Sequence, residues 1–140
     1  MLWLGIDYGA ARTGVAVGDT DTGLAFAHSV IPTESLDKLA DAIAAIAKRE
    51  MASGIVVGMP KRLTGDASAT AGVTECEATD LAVLLAERTG LPIEEEDERF
   101  STAIAERRKR DAGGVIKIGA DALAAAVILE SYLDRVRKNL

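Results

Sequence analysis

An excess of 22 acidic over 16 basic residues in a chain of 140, a formal charge of −6, argues against the broad electropositive surface of strong nonspecific nucleic-acid binders but leaves room for a local basic groove. At 49% hydrophobic and 27% charged, the composition is that of an ordinary globule of single-domain size, spanning 1–140, rather than of a disordered or fibrous chain. The single cysteine, Cys76, excludes an intrachain disulfide and a cysteine-rich zinc site. No apolar run approaches the roughly 18 residues of a membrane span, and the opening residues carry no basic leader with a cleavage site, so an unanchored cytoplasmic protein is expected.

Residues 2–8 alternate Leu2, Leu4 and Ile6 against Trp3 and Gly5, a strand whose two-residue period puts Asp7 on the face of Trp3 and Gly5. A carboxylate there must be paired, hydrated or bound to a cation, because an isolated charge in an apolar setting costs roughly several kcal/mol. The turn GAARTG leads to a second strand at 14–18, and Asp19-Thr20-Asp21-Thr22-Gly23 turns the chain into a third at 24–31, as in an antiparallel meander. Pro32 ends that strand, and Thr33 or Ser35 caps a helix with Leu36, Leu39, Ile43 and Ile46 near helical spacing.

After Gly54, Ile55-Val56-Val57-Gly58 reads as a strand covered on both faces, terminated by Met59-Pro60. A loop rich in Gly, Ser, Thr and Ala follows at 61–72, then a helix to Arg88 with Leu81, Leu84 and Leu85 facing the core and Gly90 as its stop. Leu91-Pro92-Ile93 opens a last strand that carries the acidic run 94–98. Ser101 or Thr102 caps a short helix through Arg107-Arg108-Lys109-Arg110, Gly113-Gly114 breaks it, and 120–137 form the final helix. The order βββαβαβαα predicts an α/β fold: a five-stranded mixed sheet, three antiparallel strands followed by βα crossovers, flanked by helices on both faces.

Asp121 shares a helix face with Ala125 and Ile128, where it serves either as a cation ligand or as a charge favoured by the helix dipole, worth roughly 0.3–1 kcal/mol. Strand alternation puts Ile93, Glu95 and Asp97 on one face and Glu94, Glu96 and Glu98 on the other. Glu94, Glu95 and Glu96 read as a solvated edge, whereas Asp97 and Glu98 sit at the strand's carboxyl end, where open α/β sheets build sites. Convergence of Asp7, one of Asp97 and Glu98, and Asp121 yields an oxygen-ligand set for Mg²⁺ or Mn²⁺. Two such ions about 4 Å apart activate a water and stabilise the leaving oxygen of a phosphodiester.

Other catalytic sets are thin. The only histidine, His28, sits in a strand and reads as structural, Cys76 reads as a half-buried helix residue, and no GxSxG elbow is present. A P-loop and a dinucleotide fingerprint are excluded by spacing. The glycine turn is either a plain hairpin or a close approach to substrate, with Arg12 at its tip pairing a phosphate oxygen. Arg99 either neutralises an adjacent acid or positions phosphate. Arg107 and Arg108 form a solvated helix face or a binding surface, and Lys61 and Arg62 follow the fourth strand, whose carboxyl end is expected near the site.

Four segments in this order, GIDYGAARTGVAVGD, IVVGMP with a glycine-containing loop after it, LAERTGLPIEEEDERFST and DALAAAVILESYLD, resemble the YqgF/RuvX family of pre-16S rRNA nucleases, related to Holliday-junction resolvases of the RNase H-like superfamily. The likeness covers almost the whole chain, with Lys61-Arg62-Leu63-Thr64 departing from the more usual apolar-and-amide stretch. It implies an RNase H-like fold and Mg²⁺- or Mn²⁺-dependent cleavage of structured nucleic acid, with Asp7, the acid of Asp97-Glu98-Arg99 and Asp121 as ligands. It also implies a role in maturing the 5′ end of small-subunit ribosomal RNA. The alternatives are a resolvase-like nuclease of branched DNA, a non-catalytic factor binding RNA or a ribosome precursor, and a phosphoryl-transfer enzyme of the sugar-kinase kind, whose phosphate loop the first segment also resembles. A monomer or a homodimer suits each of the nucleic-acid readings.

Overall fold

The structure, a computed structural model, describes residues 1–59, 69–97 and 120–138. Its elements are β1 (Leu2–Asp7), β2 (Arg12–Asp19), β3 (Ala25–Pro32), α1 (Leu36–Glu50), β4 (Gly54–Met59), α2 (Ala69–Thr89), β5 (Ile93–Asp97) and α3 (Ala120–Lys138). The strands form one sheet in the order β3-β2-β1-β4-β5. β1 pairs antiparallel with β2 and parallel with β4, β2 pairs antiparallel with β3, and β4 pairs parallel with β5. The mixed five-stranded sheet expected from the sequence is therefore present.

Strand alternation divides the interior in two. Leu4, Ile6, Val15, Ile55 and Val57 face α1 and α2, meeting Leu39, Ile43, Leu81 and Leu85. Each fully buried Leu or Ile there contributes roughly 1.5–3 kcal/mol. On the opposite face Ala16 and Val56 meet Ala125, Ala126, Ile128, Leu129 and Leu133 of α3, with Trp3 and Tyr132 packed at the margin. The two rings lie 5.5 Å apart.

α1 starts at Ser35, whose side chain accepts from the Lys38 N–H at 3.2 Å, so Ser35 rather than Thr33 is the cap. The second helix begins at Ala69, inside the stretch expected to be a loop. Ala69 and Ala71 are strong helix formers, enough to carry Gly72, which costs about 1 kcal/mol inside a helix. Cys76 is exposed on α2 rather than half-buried. β2 starts at Arg12, two residues before the expected Gly14, because pairing with β3 extends the ladder through Arg12↔Pro32 and Thr13↔Ile31. The helix expected between 101 and 113 lies outside the described residues.

α3 approaches the sheet where glycine leaves room. A β-carbon on Gly14 would lie 1.8 Å from the Asp121 carbonyl oxygen, and one on Gly5 would lie 2.7 Å from the Ala125 carbonyl oxygen. The helix backbone thus rests almost directly on β1 and β2. Because the obstruction at Gly14 is backbone, no rotamer change relieves it. Gly14→Ala is expected to destabilise the protein by about 1–3 kcal/mol through overpacking, read as a lower urea midpoint.

Candidate functional site

The carboxyl end of β1, the central strand, and the first turn of α3 meet at one end of the sheet. Asp7 is the last residue of β1 and its register partner on β2 is Gly14. The Asp121 backbone lies against that same glycine, so Asp7 and Asp121 flank one side-chain-free position. Both belong to the α3 face, as the alternation of Trp3, Gly5 and Asp7 requires.

A third charge enters from the turn. Arg12 Nε lies 3.2 Å from Asp121 Oδ2, with the arginine side chain 70% exposed and the aspartate 33% exposed. The turn itself is braced by Thr33, the residue after β3. Thr33 Oγ1 donates to the Gly9 carbonyl at 2.8 Å, Thr33 N–H donates to the Ala11 carbonyl at 3.0 Å, and the Thr13 and Thr33 hydroxyls are 2.8 Å apart. Thr13 is fully buried. Sequence reasoning misses this brace, since Thr33 stands where a helix cap belongs and its partners are up to 24 positions away.

On β5, Glu96 pairs in register with Gly58 and Asp97 with Met59. Gly58 alternates with Val56, which faces α3, whereas Met59 belongs to the α1–α2 core. Asp97 is therefore set on the face opposite Asp7. Glu96 is on the Asp7 face and only 1% exposed, which corrects its reading as a solvated edge residue; Glu94 and Glu95 are exposed as expected. Glu96 Oε1 accepts from Arg135 Nη2 at 2.9 Å, while Glu96 Oε2 is buried without a hydrogen-bond partner among the described residues. Burial pushes the Glu96 carboxyl above its ordinary value, outweighing the opposing pull of Arg135 and of the Asp97 N–H.

Opposite, Tyr8 anchors the end of β1 to α2. Its hydroxyl donates to Glu77 Oε2, and burial together with that carboxylate pushes the phenol up to about 12. His28 sits in β3, far along the chain from these acids, with Nδ1 2.9 Å from Ser29 Oγ and Nε2 3.3 Å from Glu50 Oε1, in keeping with a structural role. Among the described residues no group of three or more His, Cys, Asp or Glu forms a complete metal-binding cluster. Glu98, Lys61, Arg62, Arg99, Arg107 and Arg108 lie outside the described residues.

Carboxylate oxygens are the donors a hard divalent cation takes, and the guanidinium resting on Asp121 sets positive charge at that acid. A family model described as "RuvX: Holliday junction resolvase" matches residues 1–135. This chain belongs to the RuvX family. Within it, the chain is 36% identical over 137 residues to a protein of Nitratidesulfovibrio vulgaris named "Putative pre-16S rRNA nuclease", covering 96% of this chain and 94% of the relative. A protein of the same name from Maridesulfovibrio salexigens is 33% identical over 135 residues, covering 94% and 97%. The fold matches Thermus thermophilus RuvC in complex with a Holliday junction substrate, with a TM-score of 0.73 at 14% identity, over 99% of this chain and 96% of that one. The RuvX chain thus has the RNase H-like architecture of the resolvases.

Glu96 carries a pH signature. Because its folded value is raised, the folded state holds the proton more tightly than the unfolded chain, and Glu96 contributes stability at low pH that is lost as pH rises through that value. Glu96→Gln removes this titration. Its stability relative to the parent is expected to increase between pH about 4 and pH about 7, measured by urea denaturation at both.

Proposed function

We propose that this chain is a divalent-metal-dependent endonuclease of the cytoplasm, acting through one nuclease domain over 1–140 on structured RNA and trimming the 5′ end of the small-subunit rRNA precursor. The observation that carries this reading is the meeting of Asp7 and Asp121 across Gly14 at the carboxyl end of β1. The names of the two relatives supply the substrate class.

Asp7, Asp121 and Glu98 would hold Mg²⁺ or Mn²⁺. Glu98 is preferred to Asp97 because Asp97 pairs in register with Met59, which belongs to the α1–α2 core. When bound, the metal supplies an activated water and stabilises the oxygen leaving phosphorus. The chain's own groups bind and orient: the braced turn presents Arg12 to a phosphate oxygen, and Lys61, Arg62, Arg99, Arg107 and Arg108 supply further phosphate contacts, concentrating positive charge in a chain of net charge −6.

A second reading has its own support in the description of the family model, which names Holliday junctions. Purified protein is incubated with structured precursor RNA and with a four-way DNA junction, in Mg²⁺, in Mn²⁺ and in EDTA. The proposal expects metal-dependent cleavage of the RNA, reduced about 100-fold or more by Asp7→Asn. Cleavage of the junction alone favours the second reading. RNA binding without cleavage contradicts the nuclease assignment and points to a non-catalytic RNA-binding factor, whereas cleavage undiminished by Asp7→Asn contradicts the metal site built on Asp7.

A further inference from the structure

Arg12 occupies an unusual position for a surface arginine. The backbone on both sides of it is tied down, by the Thr33 bonds to Gly9 and Ala11 and by the buried Thr13–Thr33 hydroxyl pair. The guanidinium is left 70% exposed, with the freedom of its own side chain. Through Nε it neutralises Asp121, one of the two aspartates whose backbones meet at Gly14. An arginine fork has five donors, so this pairing leaves most of its hydrogen-bonding capacity to be directed elsewhere.

We infer that Arg12 is an exchangeable counter-charge: it rests on Asp121 while no divalent cation is bound, and passes to a phosphate oxygen of the nucleic acid when one is. The inference rests on the reading of Asp7 and Asp121 as cation ligands. An ion pair this exposed favours its closed form by a factor of only about two to five. A divalent cation shared by carboxylates displaces it with little cost, and charge repulsion then drives the guanidinium away from the filled site. The braced turn keeps its base beside the reacting phosphodiester, where a planar fork pairs well with phosphate. Arg12 is thus a positioning residue whose engagement with substrate is conditional on metal.

The test follows the Arg12 side chain directly by NMR of protein carrying ¹⁵N-arginine, with its Nε–H signal assigned from its loss in Arg12→Lys. On titration with Mg²⁺ the signal is expected to move toward its position in metal-free Asp121→Asn, at the same midpoint as the Asp121 backbone amide. In calorimetry Arg12→Gln is expected to bind Mn²⁺ about two- to fivefold more tightly, having lost the competitor. The same variant is expected to bind structured RNA about tenfold more weakly in Ca²⁺. A titration that shifts the Asp121 amide while Arg12 Nε–H stays in place overturns the exchange and leaves the cation site standing. A titration that shifts neither signal, with Mn²⁺ affinity unchanged by Asp7→Asn, overturns the cation site and the exchange with it.

Discussion

The contact on which the rest of the molecule depends is the backbone-to-backbone seating of α3 on β1 and β2. Side chains normally hold a helix backbone away from the sheet it packs on. Here Gly14 and Gly5 remove the intervening atoms, so the Asp121 and Ala125 carbonyls occupy the space their β-carbons would fill. That close approach turns two residues 114 positions apart into neighbours, because Asp7 is paired in register with the glycine on which Asp121 rests. A larger residue at position 14 would lift the first turn of α3 and separate the acids.

Two acids on this face of the sheet are paired with arginines. Arg12 neutralises Asp121 from the braced turn, and Arg135 neutralises Glu96 from the far end of α3 while lying 5.9 Å from the centre of the Tyr132 ring. The two pairs differ in kind. Arg12 and Asp121 are both hydrated, so their bond is weak and reversible. Glu96 is removed from water, which makes its pairing with Arg135 a fixed part of the packing and leaves its carboxyl raised in pKa. A reversible pair suits the site edge, and a fixed one suits the joint between β5 and α3.

Much of this was legible in the sequence because it follows from periodicity. Alternation through Leu4 and Ile6 placed Asp7 on the α3 face, the unalternated Ile55-Val56-Val57 announced a doubly covered strand, and the offsets from Asp121 to Ala125 and Ile128 gave the buried face of α3. The same alternation sets Asp97 on the face opposite Asp7 once Met59 is known to face α1 and α2. Long-range contacts were not legible. The Thr33 brace and the Glu96–Arg135 pair join residues with no local signal, and Glu96 lay in a run of acids whose common behaviour is exposure. The early start of α2 was hidden because Gly, Ser and Thr around 61–72 read as loop, and helix propensity at Ala69 and Ala71 carried less weight than composition.

The central claim is that Asp7 and Asp121, joined across Gly14, form one cation site. Anomalous diffraction from crystals soaked in Mn²⁺ tests it most directly. The account predicts a manganese peak coordinated by carboxylate oxygens of both Asp7 and Asp121, lost in Asp7→Asn crystals. Manganese bound away from these two aspartates, or no peak in crystals soaked at saturating metal, would contradict it.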